Sequence, residues 1–193
     1  MAAPAFDYLD SMMWIIGASG IILGVAALRL RYKASTDSID EEQKNMSKGL
    51  GVALGATGFY LFIASMGINF GWHFSGGSNI LFGGVGALGG LVLLSVSAAL
   101  YLGRGLQACS YFAGVLGLYL VSDAYSIWTY HLTSDPTKST LVYLAPAAAL
   151  LLSVPAVHIE SRWSRYVWAI FAFLFAGAWL YFAMTTTPSH LHP

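Results

Sequence analysis

Asp123 is the side chain with the clearest capacity for chemistry, because this carboxylate lies inside a long apolar stretch. An ionisable group within a membrane is energetically expensive, so it is a candidate functional residue by default. Hydroxyl-bearing residues recur around it at helical spacing and therefore share one helix face with it. The predicted polar face consists of Tyr119, Asp123, Ser126 and Tyr130. We expect this carboxylate and its flanking hydroxyls to point in one direction from an otherwise apolar helix.

Two histidines, His73 and His131, lie in or beside loops predicted on the same side of the membrane as this face. Three interpretations of the group His73, Asp123 and His131 stay open. The imidazoles and the carboxylate could bind a transition metal, although no histidine pair has i,i+4 spacing. A haem held between His73 and His131 would need both at matched depth on facing helices. We favour a structural or proton-responsive hydrogen-bond network that holds the outer loops, since histidine titrates near neutral pH.

Familiar catalytic and cofactor motifs are absent from the sequence. There is no GxSxG, HExxH, CxxC, Walker or dinucleotide-binding pattern. The glycine run from Gly83 to Gly86 lies within a predicted span and follows no strand, so it is not a phosphate loop. The single cysteine, Cys109, excludes an internal disulfide. We therefore expect no enzymatic activity of the chain by itself and no cofactor of its own, with lipid bound instead.

Composition indicates an integral membrane protein that belongs to the all-α class. Of 193 residues, 57% are hydrophobic and only 9% are charged, against about 25% in soluble domains. No Asp, Glu, Lys or Arg occurs from Gly49 to Gly103. The formal net charge is zero and no basic patch is interleaved with aromatics, so we expect no nucleic-acid partner.

Six apolar runs are long enough to cross a bilayer, which requires about 20 helical residues. We predict one transmembrane domain over residues 1–193, with helices at 12–30, 49–68, 80–102, 106–129, 141–157 and 166–184.

The distribution of positive charge predicts how this bundle is oriented. All but one of the nine Lys and Arg residues fall in the first, third and fifth loops or at their edges, and Lys138 is the exception. Because positive residues in short loops stay on the cytoplasmic side, both termini are predicted to lie outside in the cell membrane.

Small residues spaced four apart indicate where the helices pack. Lipid provides no hydrophobic drive for association, so membrane helices pack through small residues that let backbones approach. Three such pairs are present, Gly20 and Gly24, Gly51 and Gly55, and Gly86 and Gly90. We expect the second and third helices to pack backbone to backbone.

Three segments resemble a family of small archaeal and bacterial membrane proteins known only as a domain of unknown function. They are Gly58-Phe59-Tyr60-Leu61-Phe62, Gly76-Gly77-Ser78-Asn79-Ile80-Leu81-Phe82-Gly83 and Leu118-Tyr119-Leu120-Val121. The resemblance covers residues 10–160 and implies six helices but no function. Proton-gated urea and amide channels are similar in topology alone, with six helices and both termini outside.

Two functional hypotheses follow from these patterns. The first is a non-catalytic subunit of a larger membrane complex, such as a respiratory or other redox assembly, with other integral membrane subunits and lipid as partners. It rests on the missing catalytic motifs and the small-residue packing faces. The alternative is a channel or carrier for a small solute such as urea, an amide or a weak acid, or a proton-linked carrier, with the Asp123 face along the path.

Overall fold

The computed structural model describes residues 8–30, 41–71, 78–159 and 161–191, where all regular structure is helical. The six predicted helices are present, which confirms the all-α membrane fold. Their bounds are α1 Tyr8–Arg29, α2 Glu41–Gly71, α3 Ile80–Tyr101, α4 Gln107–Tyr130, α5 Pro136–His158 and α6 Arg162–Leu191. The first turn of α3, Ile80–Gly84, is a π-helix.

Several helices extend beyond the predicted spans. Helix α2 begins at Glu41 rather than at Gly49, and α6 continues to Leu191 rather than ending at Met184. Hydropathy locates only the part of a helix inside the bilayer, whereas the helix itself continues into the interface. Acidic residues in the first turn of α2, Glu41 and Glu42, favour this extension because they complement the helix dipole.

Helix α4 differs from the other five in its polarity. Within the described residues, five helices are long and apolar enough to cross a membrane by length and composition, and α4 is not among them. Its length of 24 residues is sufficient, but tyrosines, serines and Asp123 lower its mean hydropathy. The helix that lacks a sufficiently apolar membrane-length segment is thus the one that carries the predicted polar face.

The helices form a closed ring in chain order. Each packs against the next along the sequence, and α6 returns to pack against α1. The three tightest pairs are α2 with α3, α4 with α5, and α1 with α6, whereas the seam between α3 and α4 is the most sparsely packed of the ring. Exposed apolar side chains such as Phe59, Phe70, Val115 and Leu118 cover the outside of this ring, as lipid contact requires.

Glycines lie where the ring is tightest. A Cβ at Gly90 would lie 2.7 Å from the Gly58 carbonyl oxygen, so α2 and α3 approach backbone to backbone. At Gly20 it would lie 3.0 Å from the Ala172 carbonyl oxygen, across the α1–α6 contact. Other predicted packing glycines face a neighbouring helix in the same way: Gly24 faces Phe173, Gly51 and Gly55 face Ser97, and Gly86 faces Ser65.

Candidate functional site

A cavity of about 110 Å³ lies at the centre of the ring. All six helices contribute side chains or backbone to its wall. One lining residue from each helix, in chain order, is Ser19, Leu61, Gly89, Ala113, Ala149 and Phe175. A space lined by every helix of the bundle is a property of the whole fold rather than a local packing defect.

The wall of this cavity is apolar. Its serine hydroxyls are turned to their own helices: Ser19 donates to Ile15 O at 2.8 Å, Ser110 to Gln107 O at 2.7 Å and Ser153 to Leu150 O at 2.6 Å. None of the described lining residues carries a formal charge. An ion placed here would lose its hydration without compensation, which is strongly unfavourable.

Two tryptophans line the cavity, and they differ in whether the indole N–H has a hydrogen-bond partner among the described residues. The Trp168 indole Nε1 donates to Ala149 O at 2.9 Å. Trp179 is only 6% exposed, and its Nε1 has no hydrogen-bond partner among the described residues. Because interior N–H groups are almost always paired, this buried donor beside the cavity stands out among the described residues.

An apolar layer lies between the cavity and the helix ends predicted to face outside. On each contributing helix its residues lie further toward that end than the lining residues do. They belong to one buried cluster and are all less than a tenth exposed: Met13, Leu81, Ile127, Tyr143 and Ala183. We call these five residues the outer layer. In this structure the cavity is covered at its outer side by close-packed side chains.

The π-helical turn of α3 belongs to this layer. The buried Tyr143 hydroxyl of α5 donates to the Leu81 carbonyl oxygen of that turn at 3.0 Å. A π-turn alters the regular backbone hydrogen bonding of a helix, and such turns are frequent at functional sites. The tyrosine therefore joins α5 to the irregular start of α3 within the outer layer.

Asp123 lies beside this junction. It is half-buried, and its Oδ2 atom has no hydrogen-bond partner among the described residues. The carboxylate is within electrostatic range of the hydroxyls of Tyr119 and Tyr143. A Cβ at Gly84 would lie 3.3 Å from the Tyr119 hydroxyl, so that hydroxyl lies against the π-turn. Tyr119, Asp123 and Tyr143 form what we call the outer polar cluster, at the sparsely packed α3–α4 seam.

The other residues predicted for this face differ from the cluster in their surroundings. Ser126 donates to Ser122 O at 2.9 Å, and Tyr130 is 69% exposed. His131 is exposed and ends α4 with a left-handed backbone, φ 49°. It follows Asp123 by eight residues, roughly 12 Å along the helix axis.

The described residues show no arrangement of side chains that supports the metal or the haem interpretation. His73 lies outside the described residues, so its position relative to Asp123 and His131 stays a prediction. In the described part of the chain, no three His, Cys, Asp or Glu side chains are grouped closely enough to hold a metal ion.

Sequence reasoning missed Tyr143 and Trp179. Both lie within apolar spans, where each reads as an ordinary core aromatic. The available signal was chemical, since a hydroxyl or an indole N–H in mid-span requires a partner. Which group becomes the hydrogen-bond partner depends on which helix faces that hydroxyl or N–H.

Replacing Tyr143 by phenylalanine is expected to destabilise the protein by about 1–3 kcal/mol, because the Leu81 carbonyl loses the buried hydroxyl that it accepts from. Thermal unfolding in detergent measures the change. Tyr125→Phe is the matched control, since Tyr125 is 66% exposed. Equal transition temperatures for the two variants would contradict a structural role for the Tyr143 hydroxyl.

A family model described as "Protein of unknown function (DUF981)" matches residues 1–193. The chain belongs to the DUF981 family. This confirms the resemblance stated from the three sequence segments, and the match extends over the whole chain. No curated protein matches this DUF981 chain.

The DUF981 chain is similar in fold to the Helicobacter pylori urea channel in its closed state. The TM-score is 0.54 at 16% sequence identity, over 90% of this chain and 97% of the channel chain. At this identity the likeness shows the fold alone, a multi-pass membrane bundle. Neither the fold nor the family supports the hypothesis of an accessory subunit. The orientation of the termini stays a prediction.

Proposed function

We propose that this DUF981 protein is a membrane channel for small neutral polar solutes. The observation that carries the proposal is the central cavity, which all six helices of a closed ring enclose. The fold shared with the Helicobacter pylori urea channel supports the same class of function. This replaces the accessory-subunit hypothesis with the alternative drawn from the sequence.

The chemistry of the wall favours a neutral solute. An ion would find neither a charge nor a free serine hydroxyl in the described lining, so its desolvation would not be offset. The Trp179 N–H, which is buried beside the cavity and has no partner among the described residues, suits a solute with an acceptor oxygen, such as the carbonyl of urea or a small amide. The volume of the cavity, about 110 Å³, admits only a molecule of a few heavy atoms.

Asp123 complements that donor from the outer side. Its unpartnered Oδ2 is an acceptor beside the outer layer. A solute with both N–H donors and a carbonyl acceptor would contact Asp123 on entry and Trp179 within the cavity. This order favours urea and amides over solutes that lack one of the two groups.

Flux into liposomes tests the proposal. Purified protein is reconstituted, and vesicle volume is followed by stopped-flow light scattering after gradients of urea, acetamide, glycerol or potassium chloride. We expect urea and acetamide to permeate at least about tenfold faster than in protein-free vesicles, with ion conductance unchanged. Permeation rates of neutral solutes equal to those of protein-free vesicles, or selective ion conductance, would contradict the proposal of a neutral-solute channel.

Asp123→Asn is expected to lower urea and acetamide permeability about tenfold, equivalent to about 1.4 kcal/mol. The amide keeps the shape of the side chain but replaces an acceptor oxygen with a donor. Asp135→Asn is the matched control, because Asp135 is exposed and caps α5, a role that asparagine also fills. Equal permeabilities for the two variants would remove Asp123 from the solute path.

A further inference from the structure

A second cavity, of about 520 Å³, lies at the opposite end of the bundle from the outer polar cluster. It is formed where the end of α1 meets the starts of α2 and α6. Its charged lining residues are Arg29, Arg162, Arg165 and Glu42. Three guanidinium groups and one carboxylate make its lining positive, on the face that we predict to be cytoplasmic. We call it the arginine pocket.

The frame of the arginine pocket is held by two hydrogen bonds to the end of α1. Gln43 Nε2 of α2 donates to Arg29 O at 3.2 Å, and Arg165 Nη1 of α6 donates to Leu30 O at 2.9 Å. Three helices are thereby tied together around the cavity. The pocket is therefore a built feature of the fold rather than a gap between loose ends.

In the described ranges, the positive charges that line the pocket outnumber the negative ones. Neither Arg29 nor Arg162 forms an ion pair with any residue in the described ranges, where the observed pair joins Lys44 to Glu41 at 2.7 Å. Arg162 and Arg165 also lie in the first turn of α6, which has no acidic residue. Cations at that position are disfavoured by the helix dipole. Arg165 donates to Leu30 O, and Arg29 lies in the last turn of α1, where the helix dipole favours a cation. Arg162 has neither of these structural explanations among the described residues.

Aromatic side chains place the pocket at the level of the lipid headgroups. Trp163 and Tyr166 flank Arg162 and Arg165 on α6 and are 78% and 47% exposed. Exposed tryptophan and tyrosine at a helix end are typical of the membrane interface. Guanidinium groups bind phosphate oxygens through paired hydrogen bonds, and basic pockets between membrane helices accept anionic headgroups.

We propose that the arginine pocket binds a phosphate group, either that of an anionic phospholipid headgroup or free phosphate. Arg162 and Arg29 supply charge and N–H donors to the phosphate oxygens. Glu42 contributes the negative charge of the described lining. The site is independent of the central cavity, so it stands whether or not the protein conducts solutes.

The test uses the full-length protein in detergent and measures retained lipid by native mass spectrometry and the unfolding temperature by a thermal scan. The probes are dioctanoyl phosphatidylglycerol, dioctanoyl phosphatidylcholine and inorganic phosphate. We expect phosphatidylglycerol to raise the unfolding temperature and phosphatidylcholine to have little effect. A response to inorganic phosphate assigns the site to the phosphate group itself, and a response to phosphatidylglycerol alone assigns it to the lipid headgroup.

Variants of opposite sign make the test specific. Arg162→Gln is expected to weaken phosphatidylglycerol binding by about tenfold or more, since it removes charge-assisted hydrogen bonds. Glu42→Gln is expected to strengthen it. Arg104→Gln is the matched control, because Arg104 is exposed in the α3–α4 turn and does not line the pocket.

Folding of each variant is checked by its unfolding temperature without added lipid. Arg162→Lys, which keeps the charge, is expected to bind more tightly than Arg162→Gln. Equal responses of wild type and Arg162→Gln to phosphatidylglycerol would overturn the proposal. So would equal losses in Arg162→Gln and Arg104→Gln, or equal responses to the two lipids.

Discussion

Replacing Gly89 by leucine is expected to lower urea permeability by about tenfold or more while leaving the protein folded. Gly89 lines the central cavity. A Cβ there would meet Leu61 Cδ2 at 3.5 Å, an ordinary contact, so a side chain is accommodated at its base. The rest of the leucine extends into a space of only about 110 Å³ and obstructs it. Stopped-flow light scattering of proteoliposomes measures the loss.

The matched control for this experiment is Gly177→Leu. Gly177 is exposed on α6, and a Cβ there would meet nothing within 4 Å. Both variants add the same group to a membrane helix, but only the first adds it to the cavity. Wild-type permeability in Gly89→Leu would exclude the central cavity as the solute path, and an equal loss in both variants would point to general disruption.

Gly90→Leu is expected to produce the largest loss of stability, about 3 kcal/mol or more, because overpacking here meets backbone rather than movable side chains. A Cβ at Gly90 would lie 2.7 Å from Gly58 O and 2.7 Å from Phe62 N. Helices α2 and α3 would have to separate along their tightest contact. Thermal unfolding in detergent, with the yield of monodisperse protein, measures the effect.

Gly67→Leu on α2 is the control for this change. A Cβ at Gly67 would meet nothing within 4 Å, so we expect a shift of at most about 1 kcal/mol, in the stabilising direction that helix propensity favours. Similar unfolding temperatures for Gly90→Leu and the wild type would contradict the backbone contact between α2 and α3. Substitutions at the neighbouring positions Gly89 and Gly90 are thus expected to affect different quantities, solute permeability at Gly89 and stability at Gly90.

The sequence was sufficient to predict the six helices, because the bilayer imposes a length and a polarity on a span, and five of the six described helices meet both. It also identified Asp123, since a carboxylate in an apolar helix stands out without knowledge of its neighbours. Helix ends were less accurate, as α2 shows by beginning at Glu41. Hydropathy changes at the membrane surface, whereas a helix ends where its backbone hydrogen bonding ends.

The sequence by itself therefore determined the class of fold, the number of helices and the unusual carboxylate at Asp123 within an apolar stretch. All three depend on local composition. Only the tertiary structure decided that the helices close into a ring, that Tyr143 bonds to Leu81 O, and that the buried Trp179 N–H beside the cavity has no partner among the described residues. It also brought arginines from both ends of the sequence, Arg29 and Arg162, into one pocket. The physical reason is that these features depend on which helix faces which, and that choice is made by packing between residues far apart in the chain.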